Sequence, residues 1–406
     1  MKKFRLLKIL MLLLLFAGMG TQAYAKRPHL LLISLDGFRW DYTSRGITPN
    51  LDSLMNEGVA ALSLKPVFPS STFPNHLSII TGMYPENHGI IANKFKNPYS
   101  NEEFSLSDKE TVRDPKWYTG EAFWTTAKRY GIKTASYFWP GSELNDPQRR
   151  PDIFHEYDHD RPYMTRINGV LDWIAMPYNL RPQFMTLYFH ETDSRGHAYG
   201  PDSENINEGI RMIDSLLGIL FTGIRNAGIA DSLDIMVVSD HGMTKVSLQR
   251  SVNIDKILTG LDYEIQNYGS FAMISPDGNK DRIISTLKIN EQHFKVYARE
   301  DVPDYLHYSD NPLISPVVLI AEPGWMIMSG EKSYAGDLNG AHGYVNWWTD
   351  MHGIFIASGP NFKRNYRTGT LENIDIYPLL CEIFGILPRG NIDGDLNRIK
   401  FILEDE

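Results

Sequence analysis

The stretch His29-Leu-Leu-Leu-Ile-Ser-Leu35, running straight into Asp36-Gly37, is the key to the fold. A continuous apolar run of this length marks a strand buried on both faces, as in a parallel sheet covered by helices. A helix follows it, with Thr48 able to cap, Pro49 in the first turn and Gly58 at the end. Three further runs have the same character: Phe184-Met-Thr-Leu-Tyr-Phe189, Asp234-Ile-Met-Val-Val-Ser239 and Gly353-Ile-Phe-Ile-Ala357. Helical patterns lie between them around 121–130, 203–227 and 371–385. Strands alternating with helices predict an α/β fold with a mostly parallel central sheet and helices on both faces. The less regular stretch 250–345 is expected to form a small subdomain inserted between sheet strands.

Composition narrows the function classes. The chain has 406 residues, 42% of them apolar and 12% aromatic, enough for a large core and too apolar for disorder. Its net charge of −9 has the wrong sign for a protein that coats nucleic acid. The single cysteine, Cys381, excludes a disulfide framework, a Cys-based zinc finger and an iron–sulfur cluster. Any metal site must use His, Asp and Glu.

Residues 1–25 read as an export signal. Lys2, Lys3, Arg5 and Lys8 precede the apolar run Ile9 to Ala17, and Ala23-Tyr24-Ala25 fits a cleavage site. The run is too short to span a bilayer, which needs about 20 residues. The expectation is an exported chain, periplasmic or secreted, with no transmembrane span after cleavage and residues 26–406 forming one catalytic domain.

In open α/β sheets the site lies beyond the carboxyl ends of the strands, and here those ends carry chemistry. The first run ends in Asp36. The second leads into Glu191-Thr-Asp193-Ser-Arg-Gly-His197, and the third into Asp240-His241-Gly242. A variant of the last, Asp350-Met-His352-Gly353, precedes another strand. Carboxylate oxygen with imidazole nitrogen is a zinc-like ligand set. Six such side chains exceed what one tetrahedral zinc takes, so two metals are the economical reading. Ser70-Ser71-Thr72-Phe73-Pro74-Asn75-His76 opens a helical stretch, and a hydroxyl there sits beside unpaired N–H groups that suit a phosphate. Local sequence alone leaves open whether Ser71 or Thr72 is a nucleophile or a helix cap.

Six ordered motifs settle the choice by resemblance. They are Asp36-Gly-Phe-Arg, Thr72-Phe-Pro-Asn-His, Gly82-Met-Tyr-Pro-Glu-Asn-His-Gly89, Asp193-Ser-Arg-Gly-His-Ala-Tyr-Gly-Pro201, Ser239-Asp-His-Gly-Met243 and Asp350-Met-His-Gly. Together, from about residue 28 to about 390, they resemble the nucleotide pyrophosphatase/phosphodiesterase family of the alkaline phosphatase superfamily. The resemblance implies an alkaline-phosphatase-like three-layer sandwich and two Zn2+ per chain. It makes Thr72 the nucleophile, assigns one zinc to Asp36, Thr72, Asp240 and His241, and assigns the other to Asp193, His197 and His352. Asn93 would hold a non-bridging phosphate oxygen, and Phe73 and Tyr188 would grip the base. His76, His88 and His342 are left as structural. The implied reaction is hydrolysis of phosphodiester or phosphoanhydride bonds in small nucleotides and nucleotide esters through a phospho-threonine intermediate, releasing nucleoside 5′-monophosphates. Choline-headed lipids such as glycerophosphocholine, or phosphomonoesters, are the alternative substrates. No obligate protein partner is inferred.

Overall fold

The computed structural model describes residues 28–330 and 338–405; the export signal expected over residues 1–25 lies outside them. Eight strands form the central sheet: β1 (His29–Leu35), β2 (Val59–Ala61), β3 (Thr134–Tyr137), β4 (Ile153–Phe154), β5 (Phe184–Phe189), β6 (Leu233–Val238), β7 (Phe355–Ser358) and β8 (Tyr366–Thr368). Their spatial order is β8-β2-β7-β6-β1-β5-β3-β4. All run parallel except β7, which is antiparallel to both neighbours. β7 is reversed because the chain enters it at the edge where β6 ends: Gly242 N–H donates to Met351 O at 2.8 Å and Ser239 N–H to Ile354 O at 3.1 Å.

Every residue of β1 is buried, and pleating sorts them to opposite faces. Leu30 and Leu32 enter one core with helices α2 (Thr72–Thr81), α3 (Phe123–Arg129) and α7 (Ile376–Ile383). Leu31, Ile33 and Leu35 enter the other with α1 (Pro49–Glu57), α4 (Tyr163–Ala175) and α6 (Glu204–Asn226). Helix α6 shows why the pattern works. Ser203 caps it, accepting from Ile206 N–H at 3.2 Å, and Ile206, Ile210, Ile213, Leu217, Leu220 and Ile224 form its buried stripe. The result is a three-layer sandwich.

Between β6 and β7 the chain builds a four-stranded antiparallel sheet from Tyr263–Gln266, Phe271–Pro276, Val317–Ala321 and Phe294–Ala298. Ala272, Ile274, Val317 and Leu319 pack on its own helix, Lys280–Ile289, through Ile283 and Leu287. Phe271, Met273, Val318 and Ile320 face the other way, into the core that holds Phe68 and Tyr308. This alternation ties the second sheet to the sandwich. The returning chain pairs Gly340–Ala341 antiparallel with Thr244–Lys245, just beyond the end of β6. Among the described residues no helix is long and apolar enough to cross a membrane.

Candidate metal centre and active site

Strand register builds the first ligand group. β1 and β6 are neighbours with Ser34 opposite Val238, so Asp36 and Asp240, two residues further on, emerge side by side. Gly37 N–H donates to Asp240 Oδ1 at 3.2 Å. Gly37 has φ +65°, and a Cβ there would fall 2.8 Å from the Cα of Asp193, so only glycine lets helix α5 (Glu191–Tyr199) approach the strand end. His241 Nε2 lies 3.1 Å from Asp240 Oδ2 and 3.4 Å from Asp36 Oδ1. Thr72, the first residue of α2, puts its Oγ1 3.3 Å from the same nitrogen.

The second group uses the helical i, i+4 spacing. Asp193 and His197 share one face of α5, with Asp193 Oδ1 3.3 Å from His197 Nε2. The third member is His342, whose Nε2 is 3.7 Å from Asp193 Oδ1. Within each group the ligand atoms lie within 4.8 Å of one another. The His241 and His342 rings stack with centroids 3.6 Å apart, so the groups adjoin.

Three observations fit both groups to divalent cations. Asp36 Oδ1, Asp193 Oδ1 and Asp240 Oδ2 are buried oxygens without a hydrogen-bond partner, and they are the oxygens aimed at the imidazoles. Leaving such atoms unpaired is costly unless an ion takes them. Each imidazole then spends Nδ1 on a backbone carbonyl: His197 on Gly340 at 2.8 Å, His241 on Gly242 at 2.8 Å and His342 on Ser70 at 2.9 Å. A carbonyl only accepts, so Nδ1 carries the proton and Nε2 keeps its lone pair for a metal. Third, the carboxyls crowd. Burial, then Asp193, pushes Asp36 well above the usual carboxylate range; burial, then Asp36 and Asp193, does the same to Asp240. Against burial, the neighbouring His197 holds Asp193 below that range, while Asp193 raises His197 to about 9. A divalent cation would supply the positive charge that these crowded carboxyls call for.

One expected ligand belongs elsewhere. His352 is not in either group: its Nε2 donates to Asn346 O at 3.0 Å and its Nδ1 accepts from Ser63 Oγ at 2.9 Å, so both ring nitrogens are spent. The Asp350-Met-His352 segment instead backs the ligand loop, with Asp350 Oδ2 accepting from Thr244 Oγ1 at 2.6 Å. His342, expected to be structural, lies with Asp193 and His197 instead. His76 and His88 are buried; His76 bonds Ser34 Oγ and Thr72 O, and His88 bonds Ser78 Oγ and Pro74 O.

A cavity of about 300 Å³ opens above Thr72, and Asp36, Asp193, His197 and His342 lie in its lining. Asn93 Oδ1 accepts from Phe73 N–H at 2.9 Å, which turns the Asn93 NH2 outward as a donor. Phe73 lines the cavity, with its ring edge on Phe104 at 5.8 Å. Tyr188 also reaches the lining, but it is buried and donates to Asp36 Oδ2 at 2.6 Å, orienting that carboxylate. The half-buried aromatic beside it is Tyr157, centroids 6.1 Å apart, a residue the sequence motifs did not single out.

Comparison with known proteins identifies the family. The family model of type I phosphodiesterase / nucleotide pyrophosphatase matches residues 30–345. The chain belongs to this family. It is 37% identical over 388 residues to rat ectonucleotide pyrophosphatase/phosphodiesterase family member 1, covering 92% of this chain and 42% of that protein; it thus spans about two fifths of that relative's length. It is 35% identical over 405 residues to the bovine bis(5′-adenosyl)-triphosphatase of the same family, covering 98% of this chain and 88% of that one. Human ectonucleotide pyrophosphatase/phosphodiesterase 5 superposes with a TM-score of 0.87 at 32% identity, covering 93% of this chain and all of that one. The murine counterpart, an inactive threonine-to-alanine variant in complex with AMP, superposes at 0.88 with 31% identity. The fold is the family's alkaline-phosphatase-like α/β sandwich.

Proposed function

We propose that this chain hydrolyses phosphodiester and phosphoanhydride bonds in nucleotides and nucleotide esters, releasing nucleoside 5′-monophosphates through a phospho-threonine intermediate. The observation that carries the reading is the placement of Thr72 Oγ1 against His241, between two carboxylate–imidazole groups whose inward oxygens are buried and unpaired. The murine relative bound to AMP supports a nucleotide as the substrate class.

Asp36, Thr72, Asp240 and His241 would hold one zinc, and Asp193, His197 and His342 the other. When bound, the two ions would draw charge from the Thr72 oxygen and from the phosphate oxygens at the reacting centre. The chain's own groups do the positioning. Thr72 Oγ1, 3.3 Å from His241 Nε2, loses its proton to solvent and forms the new bond to phosphorus as the bond to the leaving oxygen breaks. Asn93 NH2 and the Thr72 backbone N–H at the start of α2 meet the equatorial oxygens. Water then cleaves the phospho-threonine, and the hydroxyl is restored. Phe73 and the tyrosine wall offer faces on which a base can stack. We further propose that residues 26–406 act as one catalytic unit, exported after loss of residues 1–25.

A substrate panel on zinc-loaded protein tests the reading: nitrophenyl-thymidine monophosphate, ATP, nitrophenyl phosphate and nitrophenyl-phosphocholine. Hydrolysis of the first two, with release of 5′-monophosphates, is expected. Preference for the phosphocholine ester would move the chain to lipid head groups, and preference for nitrophenyl phosphate would make it a monoesterase.

A further inference from the structure

The cavity lining also carries hydrogen-bonding groups that hydrolysis at Thr72 does not use. His159 and His190 both line the cavity, and their rings stack at 3.9 Å with 24° between planes. Tyr157 hydroxyl lies 3.2 Å from His159 Nδ1. His190 Nδ1 is buried with no partner. Behind the pair sits Arg166, fully buried. Its guanidinium bonds only carbonyl oxygens: Tyr188 O at 2.9 Å, His159 O at 3.1 Å and Arg161 O at 3.1 Å. No carboxylate pairs with it among the described residues. Nearby acids are taken, Glu191 by Arg195 and Tyr163 and Asp158 by Arg161.

A buried cation without a counter-charge projects positive potential into the adjoining low-dielectric cavity. Burial, then His159 and Arg166, pushes His190 down to about 3, against the opposing pull of Asp193. Even neutral, each ring keeps one N–H to donate.

Resting on the proposed phosphodiesterase reading, we propose that His159 and His190, backed by Arg166, form a second anion subsite in the substrate cavity. It receives a phosphate other than the one being cleaved and so sets substrate specificity. That phosphate has two possible sources: the terminal phosphates of the leaving group, or a phosphate on the sugar of the bound nucleoside.

Three substrate pairs separate them: ATP against the nitrophenyl ester of AMP, NADP against NAD, and coenzyme A against dephospho-coenzyme A. With charge-assisted hydrogen bonds to a phosphate, the wild type should favour the phosphate-bearing member of at least one pair by about 10- to 100-fold in kcat/KM. His159→Ala and His190→Ala should each erase at least about 5-fold of that preference. An effect confined to the ATP pair assigns the subsite to the leaving group, and an effect in either other pair to the sugar. Calorimetry of adenosine 3′,5′-bisphosphate and of pyrophosphate, each against AMP, gives a second readout that needs no turnover, and the same variants should weaken the more highly charged ligand selectively. No preference in any pair with equal binding of all three ligands, or a preference both variants leave intact, would overturn the subsite. Failure of the wild type to cleave any of the six compounds would sink the hydrolytic reading instead, and the calorimetry would still decide the subsite.

Discussion

The two ligand groups are made of different material. Asp36, Asp240 and His241 stand at the ends of two paired parallel strands, with side chains 2%, 0% and 0% exposed. Asp193, His197 and His342 come from one helical turn and a loop returning from the second sheet, with side chains 21%, 32% and 10% exposed. The first group is fixed by the hydrogen-bonded register of the central sheet and is deeply buried, reaching the cavity lining through Asp36. The second faces the cavity and depends on two elements that meet only through tertiary packing. An ion in the first should therefore exchange slowly and hold the nucleophile, while an ion in the second should be the more easily lost and the better placed to meet substrate.

The largest effect expected is at the junction of the two groups. Thr72→Ala should lower turnover of nitrophenyl-thymidine monophosphate by at least about 1,000-fold. Metal analysis should still find both ions, since six other side chains hold them. Thr72→Ser should restore part of the rate; a Thr72→Ala variant with more than a few per cent activity would rule out the covalent intermediate.

Next comes the asymmetry itself. Graded chelation should strip one ion per chain before the second, and His342→Ala should weaken the first-lost ion by at least about 100-fold, beyond the 10- to 100-fold typical of outer-shell changes. Both ions leaving together would erase the distinction between the groups, and undiminished metal content in His342→Ala would remove that residue from the site.

Phe73→Ala tests the cavity side of the comparison. Stacking worth about 1–3 kcal/mol per base implies a loss of about 5- to 150-fold in kcat/KM for nucleotide esters, and much less for small nitrophenyl esters. Equal losses on both substrates would show that the ring only packs against Phe104.

The smallest effect on chemistry should come from His352→Ala. Both ions should stay bound and activity should change by no more than a few-fold. Two buried hydrogen bonds vanish, so denaturant unfolding should report about 1–3 kcal/mol lower stability. Loss of an ion from this variant would return His352 to the ligand set.

Sequence by itself determined whatever depends on local periodicity. The apolar run 29–35 could only be a strand buried on both faces, because every second residue enters a different core. Asp36 and Asp240 follow from ending such strands. The pairing of Asp193 with His197 follows from 3.6 residues per turn, and the position of Thr72 from the start of a helix. The reversal of β7, the third imidazole and the aromatic wall were decided in three dimensions. His342 and His352 sit ten residues apart in similar Gly-flanked settings, and nothing in their spacing says which one returns to the strand ends. The pairing of Gly340–Ala341 with Thr244–Lys245 decides it, bringing His342 over Asp193 and leaving His352 to brace the loop behind. The resemblance likewise gave Tyr188 to the base, but its hydroxyl is committed to Asp36, and Tyr157, more than 30 residues earlier, stands half-buried in the cavity lining. Register and pitch are properties of neighbouring residues; which distant loop closes a site depends on how the whole chain packs.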